Sequence, residues 1–319
     1  MTGILPSARE VREAQVRIGP YVKRTPMVPS PELSALVGGE VYLKLECQQD
    51  GGSFKLRGAL NALLSLSAAE RAAGVVASSA GNHGIGVAMA AERLGIRATL
   101  FVPATAPAVK REKITARGAT IDASPPHYDA AEDAARAFAL RTGATFVSPC
   151  TGRALLAGAG TVGLEMFEDV PTLRSLVVCV GGGGLVGGIG GYVRDAAAGA
   201  RILGAQSMRT NAMALALAQG HAVDIPDLPT LADGLAGRVD DEMYQQGRAA
   251  LDAIVTVEEA EIADAIKFLH EAHALVVEGS GAVGVAALRS RALTPQAFPI
   301  GVTISGANID AERWNGIIR

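Results

Sequence analysis

Aromatic side chains are scarce in this sequence of 319 residues: Phe, Trp and Tyr make up 4% of it, against 49% hydrophobic residues overall. The core must therefore be aliphatic, and there is enough of it for two domains or one large one. Cysteine is sparse too. Cys47, Cys150 and Cys179 are odd in number and far apart, which argues against a disulfide frame or a zinc cluster and for a reducing compartment. Neither sign of charge dominates. A net charge of -3 supplies no basic field for nucleic acid, and no run of like charges marks a tail. Glycine or charge interrupts every apolar stretch short of membrane-spanning length, and residues 1–10 lack the basic segment and apolar stretch of a signal peptide. The expectation is a soluble cytoplasmic protein with no nucleic-acid or membrane partner.

What is present is alternation. Short β-branched runs predict strands over 41–45, 74–78, 98–102, 120–123, 145–148, 176–180, 201–205 and 299–304. Alanine-rich amphipathic stretches predict helices over 6–17, 59–66, 67–73, 83–94, 107–117, 128–142, 158–168, 186–197, 212–219, 241–251, 258–272 and 281–288. Continuous apolar strands alternating with helices imply a parallel α/β sheet covered on both faces. No Pro/Ser-rich linker divides the chain, so a second domain would be inserted rather than appended. The block 74–148, with its regular strand–helix units, is the candidate.

Lys55 is placed where a strand gives way to a helix. A lysine there is open to partial desolvation, after which its amine can lose a proton and attack a carbonyl; the alternative is an ordinary helix-start lysine. Gly181, Gly182, Gly183 and Gly184 follow the strand over 176–180, and glycines before a helix let backbone N–H groups approach a phosphate. Gly182, Gly184 and Gly187 also satisfy G-x-G-x-x-G, so a nicotinamide-dinucleotide oxidoreductase is an alternative. That site wants an acidic residue at the end of the next strand, where this chain has Gln206-Ser207. Ser79-Ala80-Gly81-Asn82-His83 follows another strand, and its hydroxyl, amide and N–H groups suit a carboxylate; Asn82 as a plain helix cap is the alternative. Ser305 lies past the strand over 299–304, where ligands bind in open α/β sheets. His270 and His273 share a helix face without a third ligand, so no metal site is expected there.

These motifs converge. Gly52-Ser53-Phe54-Lys55-Leu56-Arg57-Gly58-Ala59, Ser79-Ala80-Gly81-Asn82-His83, the glycine run and Ser305-Gly306-Ala307-Asn308 resemble, in collinear order, the fold-type II pyridoxal phosphate (PLP) enzymes, in particular the threonine/serine dehydratases and serine racemases. The resemblance implies a tryptophan synthase β-like α/β fold, two open twisted domains around a cleft. Residues 1–73 and 151–319 would form the larger, PLP-binding one and 74–150 a small mobile one. It implies that Lys55 carries PLP as a Schiff base and acts as the catalytic base. Gly181 to Gly184 with the Leu185 amide would bind the phosphate, Asn82 the ring oxygen and Ser305 the pyridine nitrogen, with Phe54 packed near the ring. Ser79, Ala80, Asn82 and His83 would hold the substrate carboxylate. The implied reaction is β-elimination from L-threonine or L-serine to a 2-oxo acid and ammonia, in a homodimer.

Three departures shape that expectation. Ala80 stands where racemases of the family carry a second serine that serves the opposite face of the α-carbon, which favours elimination. Gln206 and Ala212 replace the carboxylates that bind a divalent cation in some relatives, so no metal is expected there. Cys150 falls near the ring where relatives carry asparagine or phenylalanine, which bears on substrate preference. Other readings are a lyase for 3-hydroxyaspartate or an ectoine catabolite, a serine racemase, the nicotinamide-dependent oxidoreductase, and a non-catalytic ligand-binding protein.

Overall fold

The computed structural model describes residues 3–106, 108–197 and 199–319; the predicted start of a helix at Pro107 lies outside them. In chain order the elements are α1 (Ala8–Ile18), β1 (Met27–Pro29), α2 (Pro31–Val37), β2 (Val41–Lys44), α3 (Lys55–Leu64), α4 (Ala68–Ala73), β3 (Val75–Ser78), α5 (Asn82–Leu94), β4 (Ala98–Phe101), α6 (Ala108–Thr115), β5 (Thr120–Asp122), α7 (Tyr128–Thr142) and β6 (Thr145–Phe146). There follow α8 (Arg153–Asp169), β7 (Ser175–Cys179), α9 (Gly184–Ala196), β8 (Arg201–Ser207), α10 (Ala212–Gln219), α11 (Asp241–Ala250), β9 (Ala253–Val257), α12 (Glu259–His273), α13 (Gly279–Arg289), β10 (Ile300–Thr303) and α14 (Ala311–Ile318). No described helix is long and apolar enough to cross a membrane.

Two sheets result. One has the order β1-β2-β10-β7-β8-β9, with only β1 antiparallel; the other, β5-β4-β3-β6, is wholly parallel. The mixed α/β class with parallel sheets is the one the alternation predicts. The central strands β7 and β10 are buried at every position, and so is β3 in the other sheet. A strand covered on both faces needs a continuous apolar run, which is how these strands read in the sequence. The two strands that the pattern misses, β1 and β9, are half-buried edges with weaker patterns. The short helices α2 and α14 are missed as well; the first spans seven residues and the second has no buried residue.

Helix α3 links the two sheets. Its Leu56, Ala59, Leu60 and Leu63 share a cluster with β3 and α5, while Gly58 crosses α8 so closely that a Cβ there would stand 3.0 Å from the Leu155 carbonyl oxygen. The helix starts at Lys55, not at 59 as its apolar pattern predicts, because the first-turn residue Arg57 is fully buried and paired rather than exposed. Likewise α8 begins at Arg153 rather than 158. Its glycines are contact points, not breaks: a Cβ on Gly158 would lie 2.5 Å from the Arg57 carbonyl oxygen.

Candidate active site

The carboxyl ends of β3, β7 and β10 deliver Ser79, Gly181 and Ser305, and the predicted residues gather around them. Lys55 is the first residue of α3, separated from β2 by two short 3-10 turns, Glu46–Gln48 and Asp50–Gly52, so the direct strand-to-helix turn expected from the sequence is replaced by a longer connection. That connection is pinned to the loop after β10. Ser53 bridges Gly306, the Phe54 N–H donates to the Ser305 carbonyl at 3.1 Å, and the Ala307 N–H donates to the Gly52 carbonyl at 2.8 Å. Lys55 Nζ then points to the Pro149 carbonyl, 2.8 Å away, and lies 5.2 Å from the Phe54 ring centroid.

Cys150, next to Pro149, meets the glycine loop. A Cβ on Gly182 would stand 2.7 Å from Cys150 Sγ and 3.0 Å from Met243 Sδ, and one on Gly184 3.0 Å from Cys150 Cα. Gly183 has φ +88°, a left-handed conformation that glycine adopts without strain. Helix α9 begins at Gly184, two residues earlier than predicted. Among the described residues, the N–H groups of Gly181 to Leu185 donate to no backbone or side-chain acceptor. Five free donors at a helix N-terminus are what a phosphate requires, so the PLP phosphate fits here.

The start of α5 is built the same way. The N–H groups of Ala80, Asn82 and His83 have no acceptor among the described residues, and Ser79 Oγ accepts only the Gly81 N–H, at 3.1 Å. Asn82 is not the cap; Gly81 occupies that position, and the Asn82 side chain reaches away from its helix to Glu278 at 2.6 Å and Asn308 at 2.7 Å. His83 is buried, its Nε2 faces the Val147 carbonyl at 2.9 Å, and its Nδ1 has no partner among the described residues. Ser305 is buried beside Cys179. Gln206 turns inward: Nε2 donates to the Thr210 carbonyl and Oε1 accepts the Ala214 N–H, both at 2.9 Å, so its amide is spent on its own loop.

The sequence assigns Glu278 no role, although its segment Glu278-Gly279-Ser280-Gly281-Ala282 belongs to the family resemblance. It immediately precedes α13, is 4% exposed and lies against Gly306. Burial pushes its carboxyl up from 4.5 to about 7, against the Asn82 bond. Burial, with the Lys55 charge, holds His83 down from 6.5 to about 3. The signs oppose. A base with a depressed folded value contributes stability above 6.5 that is lost as pH falls; an acid with a raised one contributes stability below 4.5 that is lost as pH rises to about 7. Between 4.5 and 6.5 the two slopes cancel, each about 1.4 kcal/mol per pH unit. Glu278→Gln removes one of them. Thermal melts of the ligand-free variant are expected to lose about 3 kcal/mol more than wild type across that window on acidification; parallel curves would refute the assignment.

The pyridoxal-phosphate dependent enzyme family profile matches residues 18–306. The chain is 41% identical to an L-threonine ammonia-lyase of Thermotoga maritima, over 97% of this chain and 77% of that one. It is 35% identical to a serine racemase of Oryza sativa, over 97% and 92% of the respective chains. Among solved structures, maize serine racemase superposes with a TM-score of 0.93 at 34% identity, covering 98% of this chain and 97% of that one. With free N–H donors at two helix N-termini and a lysine between them, the chain belongs to the pyridoxal-phosphate dependent enzymes, in the fold-type II form.

Proposed function

We propose that the protein is a PLP-dependent ammonia-lyase that eliminates water from a β-hydroxy amino acid, L-threonine or L-serine, to give a 2-oxo acid and ammonia. PLP supplies, when bound, the electron sink that makes the α-proton acidic. Lys55 holds the cofactor covalently and, once the substrate amine displaces it, is the base for that proton. The N–H groups of Gly181 to Leu185 hold the phosphate, and α9 directs its positive end at it. Those of Ala80, Asn82 and His83, with the Ser79 hydroxyl, hold the substrate carboxylate. His83 stays neutral and adds no charge there. Ser305 sets a hydroxyl against the pyridine nitrogen. A hydroxyl, unlike a carboxylate, would not keep that nitrogen protonated, which would favour expulsion of the β-hydroxyl.

The observation that carries elimination over racemisation is Ala80. Racemisation needs a proton donor on each face of the α-carbon, and a methyl group cannot serve. Incubation of the holoenzyme with L-threonine, L-serine, D-serine and L-threo-3-hydroxyaspartate is expected to yield ketoacid fastest from the first two. Chiral analysis of residual serine should find only the L-form. Accumulation of D-serine, or turnover of 3-hydroxyaspartate alone, would overturn the reading.

The same reading assigns residues 1–73 with 151–319 to a cofactor domain and 74–150 to a small moving one, in a cytoplasmic homodimer. Two separate sheets support the division.

A further inference from the structure

We propose that Glu278 and Asn308 are a positioning pair that fixes the Asn82 side-chain amide with its N–H, not its carbonyl, toward the ring oxygen of the bound cofactor. The inference rests on the proposed contact of Asn82 with that oxygen. The argument is one of donor and acceptor inventory. The Gly51 carbonyl can only accept, and Lys113 can only donate. Asn308 lies between them, with Nδ2 2.7 Å from the Gly51 oxygen and Oδ1 3.5 Å from Lys113 Nζ, so its NH2 must face Gly51. Its other Nδ2 hydrogen then meets Asn82 Oδ1 at 2.7 Å. That leaves Asn82 Nδ2 to donate to Glu278 Oε1 at 2.6 Å, and a carboxylate can only accept. The second Nδ2 hydrogen of Asn82 has no acceptor among the described residues, and it is free to point into the site. A flipped Asn82 would set its carbonyl against Glu278 and its NH2 against the Asn308 NH2, two repulsions at once. Protonation of Glu278 adds an O–H donor that would also serve a flipped amide, so in that form Asn308 alone holds the orientation. Glu278 needs no solvent to stay in place: it is buried against the Gly306 backbone, which has no side chain to displace it.

The test uses the holoenzyme and reads the visible absorbance and the affinity for PLP, with kcat and KM alongside. Glu278→Leu removes the acceptor and is expected to shift the absorbance band, to weaken PLP binding roughly 10- to 100-fold and to lower kcat more than substrate KM. Glu278→Gln keeps an acceptor oxygen and is expected to hold the wild-type band. Asn308→Leu removes the other anchor, should shift the band in the same direction as Glu278→Leu, and carries the test if that variant does not fold. Wild-type spectra and PLP affinity in both leucine variants would overturn the proposal. Asn82→Ala separates the two levels. A band unchanged by Asn82→Ala sinks the ring-oxygen contact itself, whereas a band moved by Asn82→Ala but by neither leucine variant sinks only the positioning pair.

Discussion

Lys55→Ala is expected to give a folded protein that no longer holds PLP covalently, lacks its visible band after dialysis, and loses at least about 10³-fold in kcat. The substitution removes two functions at one atom. Under the proposed function Nζ is the amine that would bond the cofactor carbon and, after displacement, serve as the base for the α-proton. The fold is spared because Lys55 is half-buried, its backbone opens α3 normally, and among the described residues its only side-chain hydrogen bond is to the Pro149 carbonyl. Lys55→Arg keeps the charge but neither role and should be as inactive as alanine. A small primary amine added to Lys55→Ala should restore part of the rate, since it can enter the space the side chain leaves. Melting curves matching wild type, with colour and turnover both lost, would establish the assignment. A Lys55→Ala enzyme with more than about one-tenth of wild-type kcat would break it.

The residues of this site are legible in the sequence to the extent that turn chemistry makes them so. Glycines in a row after a strand, a serine past a strand end and a lysine at a helix start each signal a backbone that must approach a ligand. The structure brings all of them together and adds the free N–H groups that explain why. Part of what was not legible has one cause, the burial of charge. Glu278 and Arg57 have the composition of surface residues, and their partners stand far away in the chain: Asn82 for the first, Glu165 for the second. Local pattern carries no information about such pairs. The same blindness moved the start of α3, because the arginine in its first turn counted against an apolar face. Glycine misled in the opposite direction. Gly158 reads as a helix start, whereas it lies inside α8 where two helices touch.

Arg57 carries the largest expected effect on stability. All of its donors are used, and none reaches water. Nε bonds Glu46 Oε2 at 2.8 Å, Nη1 bonds Glu165 Oε1 at 2.7 Å and Thr161 Oγ1 at 3.2 Å, and Nη2 bonds Glu46 Oε1 at 2.8 Å, Glu165 Oε2 at 2.9 Å and the Lys23 carbonyl at 3.2 Å. Lys44, also fully buried, completes the group through Glu165 Oε2 at 2.6 Å and the Thr25 carbonyl at 2.7 Å. Two cations and two carboxylates leave the fully buried part of the cluster neutral, with Asp169, partly exposed and 3.8 Å from Lys44, at its edge. Arg57→Leu makes it a buried anion. Breaking a buried pair on one side costs about 3–5 kcal/mol, because the abandoned carboxylate stays out of water. Against the roughly 5–15 kcal/mol that holds a typical domain together, that loss should appear as a large fall in melting temperature and in soluble yield. Removing the orphaned charge tests the cause: Arg57→Leu with Glu46→Gln restores neutrality and is expected to recover more than half of the lost stability, a non-additivity that simple loss of packing does not produce. The cluster also ties α3 to β2 and to α8 two residues beyond Lys55, so Arg57→Lys, which keeps the charge without the fork, should fold and yet lower kcat by displacing the catalytic amine. An Arg57→Leu protein within about 1 kcal/mol of wild type would show instead that the charges had found water, and that the cluster does not anchor the lysine helix.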